Sequence, residues 1–226
     1  MAPRPRIVEA PDQFWRVGWR TNPGSGPGPT PLNMADTRAG NRFDAIDASF
    51  AVIYAADSRY TALLEAVAPL RPDRRLDHQV GDWAERGFML PGSISAEWRN
   101  KRVWAGGAVP GGGRFLDLHA PGTLAWMNDE ARAIIAAFDL RELTLAHIVG
   151  DDRSLTRTLA TWLHHKLLPS GDHQFDGLRF ESKHGSGLEC WAIFDRTAAV
   201  FGHSGPIRLS DPEVACVEAD LGVKFH

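Results

Sequence analysis

Apolar positions along the chain fall into short runs and helical stripes with no fixed rhythm. Phe50 to Ala55 is a continuous apolar run and predicts a buried strand. Asp57 or Ser58 then offers an N-cap for a helix carrying Ala62, Leu63, Leu64 and Glu65. Upstream, Phe14-Trp15-Arg16-Val17 predicts a short strand. Downstream, strands are expected between Trp98 and Ala105, around Val103 and Trp104, and over Arg114 to Leu118. Thr123 to Phe138 has helical spacing, with Leu124, Met127, Ala131, Ile134 and Ile135 on one side. Another helix begins at Asp151 or Asp152, and its stripe is Leu155, Leu159, Trp162, Leu163 and Leu167 before Pro169 and Gly171 end it. Gln174 to Ser182 alternates as a strand does, and Leu188 to Phe194 is an apolar run bounded by turn residues. A helix from Asp211 to Asp220 and a strand near Val223 close the pattern.

This order lacks the steady β-α-β alternation of a doubly wound parallel sheet. It predicts an α+β fold, a single domain with mixed, largely antiparallel sheets and flanking helices. Residues 1–12 carry three prolines and read as a flexible arm, leaving 13–226 as the domain. Asn22 to Pro31, rich in proline and glycine, is expected to be a loop within it, and Arg71 to Asp82 a polar surface excursion. Hydrophobic and charged contents of 43% and 23% are those of an ordinary globular protein. A net charge of −3 gives no reason to expect nucleic acid or an acidic membrane as partner. No apolar run approaches the roughly 18 residues that suggest a membrane span, and the N-terminus lacks the apolar centre of a signal peptide. Cys190 and Cys216 form no spacing motif, which fits a reducing cytoplasm. A homo-oligomer is compatible with this composition.

The candidate chemistry lies around the first strand–helix unit. Arg42 stands in a turn-like segment, Tyr54 near the end of the apolar run, and Glu65 between Leu64 and Ala66. These side chains suit an anion, a ring and a cation respectively. Each has a quieter structural alternative: a surface arginine, a core tyrosine with a bonded hydroxyl, a solvated helical glutamate. Ser182 could be no more than a turn former at a strand end. His164 and His165 are adjacent, so on a helix they diverge, and no metal site is expected. His184 and His203 read as isolated surface residues. The glycine triplet at 111–113 lacks the Gly-Lys-Ser/Thr ending of a phosphate loop, and no Gly-x-Ser-x-Gly elbow supports a serine nucleophile.

Several segments, in order, resemble the RES domain family, named for an arginine, a glutamate and a serine. They are Arg16 after an aromatic, Arg42-Phe43, Val52-Ile53-Tyr54-Ala55, Thr61-Ala62-Leu63-Leu64-Glu65, and Phe175-Asp176-Gly177-Leu178-Arg179-Phe180-Glu181-Ser182. Asp152 to Thr156 and Cys190 to Phe194 match longer members, so the resemblance covers roughly residues 14 to 195. Relatives usually have glycine where this chain has Asn41, a residue that also tolerates a left-handed turn. The resemblance implies a fold related to ADP-ribosyltransferases. It implies NAD as substrate with no further cofactor, and an antitoxin protein as partner. It also implies cleavage of NAD by water or phosphate, or transfer of ADP-ribose to a macromolecule; an inert NAD-binding module is the non-enzymatic alternative. Glu65, Tyr54 and Ser182 become the catalytic candidates. Arg16 and Arg42, with Tyr54 and Ser182, become the NAD-binding ones, and Arg20 could take the place of Arg16. The chemistry matches those residue types. Losing nicotinamide leaves positive charge on the ribose, which a fixed carboxylate favours, and arginine forks match pyrophosphate oxygens.

Overall fold

The computed structural model describes residues 3–20, 40–73, 75 and 89–226, with the backbone alone at 202–204. The expected loop at Asn22–Pro31 lies outside the described residues, as does most of the expected excursion at 71–82. Two compact units are interleaved along the chain. The first comprises residues 1–14, 29–57 and 107–200, and the second 15–28, 58–106 and 201–226. The class is α+β with a mixed, largely antiparallel sheet.

In the first unit five strands run in the order β1 (Ile7–Val8), β6 (Phe115–Asp117), β7 (Gly177–Glu181), β8 (Glu189–Phe194), β3 (Val52–Ala56). Only the β6/β7 pair is parallel among these; β1/β6, β7/β8 and β3/β8 are antiparallel. The central strands β3 and β8 are buried along nearly their whole length, which is why both read as unbroken apolar runs rather than as alternation. Gly177 opens β7 because nothing larger fits: a Cβ there would lie 2.3 Å from the carbonyl oxygen of Ala192 and 2.6 Å from the Phe115 ring. The segment expected to be a loose arm contributes β1, paired with β6 through Ile7 and Val8.

Four helices complete this unit: α3 (Pro121–Glu130), α4 (Arg132–Ala137), α5 (Leu145–Val149) and α6 (Arg153–His164). The stripe expected on one helix from Thr123 to Phe138 is carried by two, because Ala131 leaves helical dihedrals at φ −100° and ψ 20°. Asp152 caps α6 by accepting the N–H groups of Ser154 and Leu155. That helix stops at His164, earlier than its apolar stripe suggests. Leu167 instead forms an isolated antiparallel bridge with His173, ahead of Pro169. The core gathers Phe43, Phe50, Leu116, Met127, Leu155, Leu159, Phe175 and Phe194 with their neighbours.

The second unit holds most of strands β2 (Phe14–Trp19), β5 (Arg102–Ala108) and β9 (Val200–Pro206), in the order β2-β5-β9; Phe14, Gly107, Ala108 and Val200 count with the first unit. It adds helices α1 (Arg59–Val67), α2 (Ala96–Asn100) and α7 (Pro212–Leu221), and a parallel pair of β4 (Ser93–Ile94) with β10 (Lys224–Phe225). Ser58, one of the two expected caps, starts α1 by accepting the Thr61 N–H at 3.1 Å. The strand expected around Val103 and Trp104 is β5, and Trp98, ahead of it, lies on α2, where Ser95 caps that short helix through the Trp98 N–H. Arg59 lies over the Trp104 ring at 4.3 Å and pairs with Asp211 at 3.1 Å, ahead of α7. No helix among the described residues is long and apolar enough to cross a membrane.

His164, at the end of α6, stacks on Phe50 with ring centres 4.0 Å apart and meets Phe194 edge-on. Burial, then the charges of Arg196 and His165, lowers its pKa to about 4, against the pull of Asp195 in the opposite direction. The unfolded chain binds this proton near 6.5 and the folded one only near 4, so folding stability falls as pH drops through that window. The difference corresponds to roughly 3 kcal/mol at most. Urea unfolding across this range should show a smaller loss in His164→Gln than in the parent; parallel losses would mean that His164 is not the group responsible.

Candidate functional site

The segment 40–45 carries Arg42 and is tied down from three directions. It turns on itself first: Asp44 donates its N–H to the carbonyl of Asn41, and its Oδ2 accepts the Asn41 N–H at 2.5 Å. β3 then supplies Tyr54, whose hydroxyl donates to Asp44 Oδ1 at 3.0 Å and accepts the Phe43 N–H at 2.8 Å. Burial, and then the charge of Asp44, pushes this phenol well above its ordinary pKa, so it stays protonated and can keep donating. From the other side, α6 sends down two arginines one turn apart. Arg153 donates to the carbonyl of Gly40 at 2.7 Å, and the buried Arg157 donates to those of Asp44 and Ala45 at 3.3 and 2.7 Å. A side chain at residue 40 would collide with Arg157, since a Cβ there would lie 2.9 Å from Cζ.

Arg42 itself reaches the end of α5. Its Nη1 donates to the carbonyls of Ile148, at 2.7 Å, and Gly150. Helix C-termini leave such carbonyls without intrahelical partners, and their negative end suits a cation. The guanidinium charge is thereby held in place by two neutral groups. Beyond it stands Asp151, whose exposed carboxylate bonds Lys183 Nζ at 3.1 Å. Lys183 holds the Asp151 carboxyl below the usual carboxylate range, with smaller contributions from Arg42 and Arg153. Lys183 follows Ser182, so the arginine loop and the serine hairpin meet around one aspartate. Their aromatic neighbours also touch, with the Phe43 and Phe180 rings edge to face at 4.9 Å. Ser182 is buried, donates its N–H to the carbonyl of Leu188, and accepts the His184 N–H on Oγ at 3.0 Å.

A family model described as RES domain matches residues 13–213. The chain belongs to the RES domain family. Arg42 and Ser182, two of the residues expected at the site, lie in one compact unit. At the family level this membership brings an NAD-related, toxin-like role with links to antitoxin partners. No curated protein matches the chain.

The remaining expected residues of this RES domain lie in the second unit. Glu65 sits on α1, half-buried, beside the fully buried Leu63 and Leu64. Arg16 sits on β2 with its guanidinium 5.8 Å from the centre of the Phe201 ring. Burial lowers its pKa, although arginine remains a cation at any physiological pH. Arg20, the alternative, lies past the strand end and is exposed.

Sequence reasoning missed Asp44, Arg153 and Arg157, the residues that hold the loop. The i, i+4 spacing of the two arginines on a helix was a usable signal, because it puts both on one face. Tyr54 also changes in emphasis. A phenol has a single donor, and here Asp44 takes it, while the ring packs against the core.

Tyr54→Phe leaves the Phe43 N–H and one oxygen of Asp44 without their partner. A loss of about 1–3 kcal/mol is expected, the cost of a buried polar group left unpaired. Urea unfolding measures it directly, and an unchanged midpoint would mean that the hydroxyl does not hold the loop.

Proposed function

We propose that this RES domain cleaves the bond between nicotinamide and ribose in NAD, on a fold related to ADP-ribosyltransferases. In this reading it is the toxin of a toxin–antitoxin pair and acts in the cytoplasm. The observation that carries the proposal is the arginine loop: a family match over 13–213 coincides with an Arg42 whose side chain is held by protein groups, in a loop whose carbonyls at Gly40 and Ala45 are held too. A cation fixed in advance loses little freedom on meeting an anion, and a guanidinium fork matches phosphate oxygens. Arg42 is assigned to the NAD pyrophosphate, with Arg16 as the second cation. The Tyr54 ring is assigned to the nicotinamide end, and Ser182 to a ribose hydroxyl or the carboxamide.

Glu65 is assigned to the reacting sugar. The bond between the anomeric carbon and the ring nitrogen breaks with its electron pair passing to nicotinamide, which leaves neutral. Positive charge then spreads over the anomeric carbon and ring oxygen, and a carboxylate stabilises that state more than the ground state. The oxygen of water or phosphate adds to the anomeric carbon, and an incoming water sheds its extra proton to solvent. No acid is needed for the leaving group and no further cofactor enters.

Incubation with NAD should release nicotinamide, and Glu65→Gln should lower kcat by about a hundredfold or more while the circular dichroism spectrum is retained. Free ADP-ribose among the products would identify water as acceptor, and its phosphorylated form would identify phosphate. Label from NAD appearing on a macromolecule would favour transfer instead, and full turnover by Glu65→Gln would remove that residue from its role.

A further inference from the structure

Ser182 opens the connection between β7 and β8, and the residue before it is held in an unusual way. Glu181 donates its backbone N–H to Nε2 of His119 at 3.1 Å. His119 follows β6, the parallel neighbour of β7. A ring nitrogen that accepts carries no hydrogen, so this imidazole is neutral with its proton on Nδ1. Nδ1 stands 3.8 Å from Glu181 Oε2, too long for a hydrogen bond but close enough to feel its charge. The main chain of His119 is held as well, because its backbone N–H donates to Asp117 Oδ1 at 3.1 Å.

The charged groups around His119 form a closed set. Arg179 bonds Asp117 at 3.1 Å and Glu189, and pairs with Glu181 at 3.7 Å; Arg6 reaches Asp117 at 3.5 Å. Burial of the ring and the charge of Arg179 disfavour its protonation, while Glu181 and Asp117 favour it; burial is the largest of these and the pKa is lowered. On the far side, Glu181 Oε2 accepts the Gly187 N–H at 3.4 Å, and Ser182 bonds Leu188 and His184 through its N–H and Oγ. Glu181 thus joins His119 to both ends of the 182–188 hairpin.

We propose that His119 is a positioning residue, whose unprotonated Nε2 holds Glu181 and thereby sets where Ser182 stands. The proposal rests on the reading of Ser182 as an NAD contact. Adding a proton to Nε2 would turn the acceptor into a donor facing another donor, so acid should release the hairpin.

The test uses the full chain with His119→Leu, which removes the acceptor, and His119→Gln, whose amide oxygen can accept the same N–H. Two readouts are taken: nicotinamide release as a function of pH, and amide hydrogen exchange over 181–188 by NMR. His119→Leu should lower kcat about tenfold, the equivalent of one lost buried hydrogen bond, and speed exchange across the hairpin. His119→Gln should restore both. The parent should lose rate in acid through an ionisation below the ordinary imidazole value of about 6.5, and His119→Gln should lack that limb. Unchanged kcat and exchange in His119→Leu would overturn the proposal, as would an acid limb that persists in His119→Gln. If His119→Leu does not fold, the pH profile of His119→Gln decides. If the parent releases no nicotinamide, the NAD reading falls by itself. The exchange data then decide separately whether His119 holds the hairpin.

Discussion

The contact on which the candidate site depends is the one between Tyr54 and Asp44. A carboxylate carried into the interior is costly unless its oxygens are bonded, and Asp44 is 1% exposed. Tyr54 satisfies one oxygen and the Asn41 N–H the other. Both partners are local to the loop or to β3, so the conformation that satisfies Asp44 is also the one that aims Arg42. The carbonyls of Gly40, Asp44 and Ala45 find donors on α6. Seen this way, the loop is an extension of the core through polar contacts rather than a free surface segment.

Arg42 is anchored on neutral backbone carbonyls, as Arg153 and Arg157 are. Arg179 is surrounded by Asp117, Glu181 and Glu189, and Arg59 by Asp211 and Glu213, so their charges are largely offset by carboxylates. The bonds from Arg42 to Ile148 and Gly150 fix direction without cancelling charge. Gly150 is required for this arrangement, because a Cβ there would lie 2.8 Å from the carbonyl oxygen of Ala146. The chain therefore contains arginines held by carboxylates and arginines held by backbone carbonyls, a difference that residue type alone does not reveal.

Local signals made much of the fold readable. Ser58, Asp152 and Asp211 stand at the starts of α1, α6 and α7, where a capping residue belongs. The apolar runs at 50–55 and 188–194 correspond to the two buried strands β3 and β8. Short elements were not readable: α5 and α2 have five residues each, too few for a stripe, and β9 has no alternation to announce it. The same holds for the site. Arg42, Tyr54 and Ser182 could be singled out by type and order. Asp44 and Arg157 could not, since the bond between them spans 113 residues and exists only after the chain has folded. Charged residues are seldom buried, so nothing local advertises the exceptions.

Arg153 and Arg157 touch opposite ends of the loop, at Gly40 and at Ala45. They stand four residues apart on a helix that rises about 1.5 Å and turns about 100° per residue. α6 therefore acts as a ruler laid along the loop. Adding or removing a single residue between its two marks would swing one arginine round to another side of the helix, while substitutions elsewhere on its exposed face leave the measure unchanged. Length, more than composition, is the property this stretch of the chain is bound to keep.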